Sequence, residues 1–200
     1  MLQQYKKIMV AVDGSDEAEL AFKKAVNVAI RNNGELLLAH VIDTRSFQTV
    51  SSFDGMLAEQ ATEMAKQTLA DYESNAKKAG LNNVTSVVEY GSPKQIIAKE
   101  IPEDNQVDLI MLGATGLNAV ERLFIGSVSE YVIRNAACDV LVVRTDLENQ
   151  LPPKKDQLMK SCVSEGISKV KLLKITCLDT AFFALQKIKS LIERLSSHDS

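Results

Sequence analysis

VDLIMLGATGLNAVERLFIGSVSEYVIRNA, residues 107–136, is the stretch on which the reading of this chain turns. Val107–Leu112 is a near-continuous apolar run, too short for a buried helix and of the right length for a strand covered on both faces. Gly113-Ala114-Thr115-Gly116 ends it, and nine residues later Gly126-Ser127-Val128-Ser129 opens a helical segment that continues through Glu130–Ala136. Small residues with free backbone N–H groups therefore converge on one helix start. Glycine lets the backbone approach a phosphate, first-turn N–H groups point outward unpaired, and the helix dipole favours negative charge. The hydroxyls of Ser127 and Ser129 add donors. Any one of these residues could be a simple turn or cap. The whole spacing, G-x2-G-x9-G-S between a strand and a helix, is far more specific than any one of them.

Working outward, four more apolar runs share the character of Val107–Leu112: Lys7–Val12, Glu35–Ile42, Val84–Glu89 and Asp139–Val143. Between them run helical stripes. Ala18, Ala21, Phe22, Ala25, Val26 and Ala29 form one, and Leu57, Ala61, Met64, Ala65, Thr68, Leu69, Tyr72 and Ala76 form another. Gly34 and Gly80 stand where left-handed residues end those helices, and Ser92-Pro93 reads as N-cap and first-turn proline of a third. The order β-α-β-α-β-α-β-α-β predicts an α/β fold with a doubly wound parallel sheet, which binds ligands at strand carboxyl ends where the strand order reverses. The first strand ends in Ala11-Val12-Asp13-Gly14-Ser15-Asp16, where Ser15 or Asp16 caps the next helix. Asp13 alone reads equally as a capping or solvated residue and as a ligand contact.

Charge limits what this site can hold. The 200 residues carry 23 Lys+Arg and 26 Asp+Glu, a net charge of -3, which provides no basic field for nucleic acid or an acidic membrane. Residues 1–145 hold 14 basic and 19 acidic side chains, and residues 146–200 hold 9 and 7. Pro152-Pro153 marks the seam, so residues 1–145 read as one domain and 146–200 as an appended extension, helical or partly disordered. In the extension Leu178, Ala181, Phe182, Leu185, Ile188, Leu191, Ile192 and Leu195 make an apolar stripe. Cys138, Cys162 and Cys177 are odd in number and lack a C-x-x-C, which points to a reducing cytoplasm and against a zinc or disulfide framework. No signal peptide or membrane span is visible.

VAVDGS at residues 10–15 together with the glycine stretch of residues 113–136 resembles the universal stress protein family over about residues 5–144. The resemblance implies a five-stranded sheet in the order 3-2-1-4-5, of the adenine nucleotide alpha hydrolase-like kind, with its switch point between strands one and four. It implies ATP, with or without Mg2+, as ligand. Asp13 would contact the ribose, Val41 would line the adenine pocket, and Ala11 and Leu112 would complete the apolar slot. Gly113, Gly116, Gly126, Ser127, Val128 and Ser129 would hold the phosphates, with Val12 and Ala114 among the lining residues. Arg122 sits in the connecting loop, where an arginine is either solvated or within reach of a phosphate.

Catalytic groups are scarce. His40 lies within an apolar strand and reads as a core or pocket-edge residue more readily than as a general base, and His198 stands in a polar terminus. Motifs of metalloproteases, esterases and P-loop NTPases are missing. The expectation is an ATP-binding regulatory protein of stress response. The alternatives are a slow ATPase or an ATP pyrophosphatase-like ligase, although the latter wants S-G-G-x-D-S at the end of strand one and the chain has neither that serine nor the glycine pair. The fifth strand, Asp139–Val143, is an edge in the implied order; edges invite pairing, and members of the family dimerise there, so a homodimer is expected.

Overall fold

The structure, a computed structural model, describes residues 4–47, 54–116 and 125–151. Arg122, His198, Cys162, Cys177 and the stripe from Leu178 to Leu195 lie outside the described residues. Five parallel strands form one sheet in the order β3-β2-β1-β4-β5: β1 Lys7–Ala11, β2 Glu35–Ile42, β3 Val84–Tyr90, β4 Leu109–Gly113 and β5 Asp139–Val143. This is the doubly wound order expected from the sequence. The helices are α1 (Asp16–Asn32), α2 (Asp54–Lys78), α3 (Pro93–Gln95, then a π-helical turn Ile96–Glu100, then Ile101–Asn105) and α4 (Ser127–Asn135).

Strand residues alternate between two cores because both faces of the sheet are covered. Ile8, Val10, Leu36 and Leu38 pack against Phe22, Ala25 and Val26 of α1 and Leu69 and Tyr72 of α2. Met9, Leu37, Ile110 and Leu112 pack on the other side against Ile96, Ile97 and Ile101 of α3 and Val132 of α4. The first three strands thus wind with helices on one face, and the chain crosses to the other face before β4. That crossing leaves the carboxyl ends of β1 and β4 side by side with connections leaving in opposite directions. A crevice at this point follows from topology alone.

Strand four begins at Leu109 and not at Val107, and three further local features depart from the sequence reading. The left-handed residue after α1 is Asn33, at φ 51°, and not Gly34. Gly34 is required for space instead, since a Cβ there would lie 2.8 Å from the Tyr5 carbonyl oxygen and 2.9 Å from that of Lys6. Met64, placed on the buried stripe of α2, is exposed, while Ala65, Leu69, Tyr72 and Ala76 are buried. In α3 the Ile101 N–H reaches back to the Ile96 carbonyl, a π-type bond. Pro102 follows directly; its ring would crowd the preceding turn of an α-helix, and the wider π turn gives it room.

Beyond β5 the chain remains tied to α1. Lys24 Nζ donates to Thr145 Oγ1 at 2.7 Å and to Asn149 Oδ1 at 3.2 Å. Asp146 Oδ1 accepts from the backbone N–H groups of Glu148 and Gln150, closing a compact turn. Among the described residues no helix is long and apolar enough to cross a membrane.

Candidate functional site

The crevice is built from the two chain segments that leave β1 and β4. After β1, Val12 N–H still donates to the Ala39 carbonyl at 2.9 Å, so the ladder holds to the edge of the crevice. Gly14 then turns the chain at φ 82°, a left-handed conformation that favours glycine. Ser15 caps α1 by accepting the Ala18 N–H at 3.1 Å. Of the two capping candidates, Ser15 is therefore the one used. Asp13 is exposed at the mouth, and its Oδ1 accepts from both the Ser15 N–H at 3.0 Å and the Ser15 hydroxyl at 2.6 Å.

After β4, Ala114 N–H donates to the Val143 carbonyl at 2.9 Å and Gly126 N–H returns to the Ala114 carbonyl at 2.7 Å. The two halves of the glycine motif are thus stitched together through the backbone. Gly126 is the N-cap of α4 at φ -62° and ψ 149°, an extended conformation open to any residue, and it has no side chain with which to cap. The first intrahelical bond runs from the Glu130 N–H to the Gly126 carbonyl at 2.9 Å. Among the described residues, no acceptor meets the N–H groups of Ser127, Val128 and Ser129. They form an uncapped helix start facing the crevice.

The expected site residues divide by what their side chains do. Ala11, Val41 and Val128 are half-buried apolar groups packed beside the α3/α4-side core that contains Leu112, so they share one face of the sheet. Val12 points to the other face and into the α1/α2-side core, leaving only its backbone for a ligand. Ala114 and Gly113 are buried. A Cβ on Gly113 would lie 2.8 Å from the backbone carbon of Glu17, so this glycine lets β4 approach α1. Gly116 lies against Asp13, whose Oδ2 is 2.7 Å from where a Cβ would be. Ser127 is exposed at the helix start. Ser129 is buried, and its hydroxyl donates to the Gly113 carbonyl at 2.9 Å, so what it can offer an anion is its backbone N–H.

His40 Nδ1 bonds the Val12 carbonyl at 2.8 Å. A carbonyl only accepts, so Nδ1 carries the proton. Strand alternation places His40 with Leu36 and Leu38, on the face away from Ala11 and Val41. Two features lay beyond the sequence reading. Thr115 is buried between the glycines. Asp43 and Arg45, just past β2, pair through two side-chain hydrogen bonds of 2.8 and 2.5 Å, and the guanidinium holds the Asp43 carboxyl below its ordinary range. A hollow of about 380 Å³ lined by Tyr5, Arg31, Asn32 and Asp139 lies at the other end of the sheet, beside the start of β5. Among the described residues no group of three or more His, Cys, Asp or Glu is placed to hold a metal ion.

With the geometry in place, known proteins bear on it. A family model described as the universal stress protein family matches residues 4–144. A relative from Staphylococcus haemolyticus that carries the universal stress protein name is 49% identical over 142 residues, spanning 71% of this chain and 86% of its own. The structure of the universal stress protein UspA from Lactobacillus plantarum, 33% identical, superposes with a TM-score of 0.65 over 72% of this chain and 100% of its own. A universal stress protein from Archaeoglobus fulgidus, solved in complex with dAMP, is 23% identical, with a TM-score of 0.52 over 70% of this chain and 98% of its own.

Proposed function

The chain belongs to the universal stress protein family, and from that premise we propose that it binds an adenine nucleotide, ATP above all, in the crevice between β1 and β4 and acts as a nucleotide-dependent regulatory module. One observation carries the reading: the helix that starts at the crevice has a glycine N-cap, and three successive N–H groups meet no acceptor among the described residues. Such a helix start takes an anion through backbone donors and the dipole, without lysine or arginine. An acidic chain can hold a polyphosphate this way. The half-buried Ala11, Val41 and Val128 give an adenine ring an apolar face, and Asp13, two residues past Ala11, lies against Gly116 of the glycine motif. The dAMP held by the Archaeoglobus fulgidus protein supports an adenine nucleotide as the ligand class. Mg2+ would arrive bound to the ATP phosphates.

Binding, and not turnover, is the role proposed. His40 faces away from the slot, so it gives a general base at the nucleotide no support. We also place a homodimer contact at β5 and the protein in the cytoplasm. β5 is an edge strand, and Leu141, 43% exposed, is its middle residue. In a two-fold antiparallel pairing centred there, Leu141 would meet its own copy.

Mass spectrometry of the nucleotide that copurifies, followed by thermal shifts with ATP, ADP and AMP, tests the binding. Ligand at a hundred times its Kd should stabilise the fold by about 2.7 kcal/mol. An absence of any shift with every adenine nucleotide at millimolar concentration removes the reading.

A further inference from the structure

We propose that Asn33-Gly34, the joint between α1 and β2, is a site of spontaneous deamidation, gated by fraying of the last turn of α1, and that its product cannot close the joint again. Of all the asparagines in the chain only Asn33 is followed by glycine, the neighbour that hinders attack on the asparagine side chain least because it has no Cβ. The structure separates it from the asparagine beside it. Asn32 is clamped at both ends of its amide, since Oδ1 accepts the Tyr5 N–H at 3.1 Å and Nδ2 donates to the Val28 carbonyl at 2.8 Å. Asn33 is exposed, and among the described residues its carboxamide meets no donor or acceptor. It ends α1 in the left-handed conformation, at φ 51° and ψ 40°.

The reaction is an attack within the chain followed by hydrolysis. The Gly34 backbone nitrogen, having lost its proton to solvent, bonds to Asn33 Cγ; the carboxamide C–N bond breaks, and ammonia leaves with a proton taken from water, closing a five-membered imide. Water then opens that ring at one carbonyl or the other, leaving aspartate or, with the main chain routed through Cγ, isoaspartate. In the closed joint this nitrogen is engaged, since the Gly34 N–H donates to the Ala29 carbonyl at 2.9 Å and the Asn33 N–H to that of Ile30 at 3.2 Å. Both bonds belong to the last helical turn, and helix ends open at far less cost than the sheet they join. Closing again is harder. A Cβ on Gly34 would already lie 2.8 Å from the Tyr5 carbonyl oxygen, and the next residue is tied down by the Glu35 N–H donating to the Lys6 carbonyl at 2.7 Å, so the extra backbone carbon of isoaspartate has no room. Either product also puts a carboxylate at the negative end of the α1 dipole. The joint therefore carries a one-way record of time spent open.

The test is peptide mapping by mass spectrometry of the full chain aged at mildly alkaline pH, folded and in concentrated guanidinium chloride, with isoaspartate read by an isoaspartate-specific methyltransferase. Acid should form at Asn33 before any other asparagine, and in the folded chain no more than about a hundredfold slower than in denaturant. Asn32→Ala, which removes the clamp on the last turn, should speed conversion in the folded chain by about tenfold and leave the rate in denaturant within about twofold. Aged wild type should contain a population that melts at least about 2–4 °C below fresh protein. Asn33→Gly suits the left-handed position, so it should fold normally and age without that loss. A folded chain in which Asn33 outlasts the denatured sample by more than about a hundredfold, or in which another asparagine converts first, overturns the site. An unchanged rate in folded Asn32→Ala overturns the gate, and a converted chain that melts like fresh protein overturns the claim that the joint cannot close.

Discussion

Replacing Gly126 by aspartate should abolish polyphosphate binding while leaving the fold intact. The backbone at 126 is extended, at φ -62° and ψ 149°, so aspartate can sit there without strain. A Cβ would lie 3.3 Å from the Ala114 carbonyl oxygen and from Thr115 Cα, a contact relieved by a shift of a few tenths of an ångström. Aspartate is among the best N-cap residues, so it should offset that crowding and leave stability within about 1 kcal/mol, or 2–4 °C in Tm. The two oxygens of the new carboxylate would accept the N–H groups of both Val128 and Ser129, which the proposed phosphate needs. Hydrogen bonds to a charged group contribute about 1.5–3 kcal/mol each, so losing two costs at least about 3 kcal/mol. Like charges 4 Å apart add about 1–4 kcal/mol more, depending on local screening. The sum predicts ATP affinity lower by about a thousandfold or more. Gly126→Asn takes the same donors without the charge and should lose about two decades, the difference between the two variants measuring the repulsion alone. Adenosine has no phosphate, and its affinity should stay within about threefold. Calorimetry with ATP and adenosine on all three proteins decides. ATP binding to Gly126→Asp within about threefold of wild type would refute the assignment of phosphate to this helix start.

Other perturbations probe other parts of the molecule. Gly113→Ala forces a Cβ to 2.8 Å from Glu17 backbone, and overpacking of that kind should cost about 1–3 kcal/mol, read as a fall in Tm of about 2–10 °C; an unchanged Tm would mean that α1 and β4 can separate freely. Among the described residues Gly116→Ala meets only the carboxylate of Asp13, an exposed side chain that can turn aside, so its Tm in a thermal melt should stay within about 2–4 °C of wild type. Leu141→Lys puts a charge at the middle of β5 and should convert a dimer to a monomer by light scattering, without change in circular dichroism. Burial first, and then the negative charge of Glu19, raise the Tyr72 phenol above its ordinary 10. The folded chain then holds that proton more tightly than the unfolded chain does, so the contribution is intact below pH 10 and is lost as pH rises above it. Chemical denaturation from pH 8 to pH 11 should show the loss, and Tyr72→Phe should show less of it.

How much of this was readable beforehand depends on which physical scale set each feature. Strand positions were legible because buried parallel strands are short apolar runs, and β2 and β5 fall on the expected residues, Glu35–Ile42 and Asp139–Val143. The crevice was legible because topology places it. Strand four was expected to begin at Val107, but Gln106, in the left-handed conformation, and Val107, whose N–H returns to the Pro102 carbonyl, belong to the end of α3. Side-chain direction was the hard part. Both faces of the sheet are apolar, so periodicity could not say that Ala11 and Val41 lie on the α3/α4 side while Val12 and His40 lie on the side of α1 and α2. Nor could residue type reveal that the Ser129 hydroxyl turns inward to the Gly113 carbonyl while Ser127 stays exposed. Those outcomes depend on register and helix phase, which are fixed only when the elements pack.

The three glycines of G-x2-G-x9-G-S show how one motif can have three causes. Gly113 is small because α1 passes over it, with Glu17 backbone where a Cβ would stand. Gly116 is small because the Asp13 carboxylate occupies that space. Gly126 has neither a left-handed backbone nor a severe clash, and serine, asparagine or aspartate would cap α4 better. On the proposed reading its value lies in what it leaves undone, since a capping side chain would satisfy the N–H groups offered to a phosphate. The first two glycines thus bring α1, Asp13 and β4 together, and the third keeps the helix start they surround open. Fold stability explains Gly113 and the packing of Asp13 accounts for Gly116, while the proposed phosphate supplies the reason for Gly126. For that reason its substitution separates folding from binding, whereas substitution of Gly113 would confound the two.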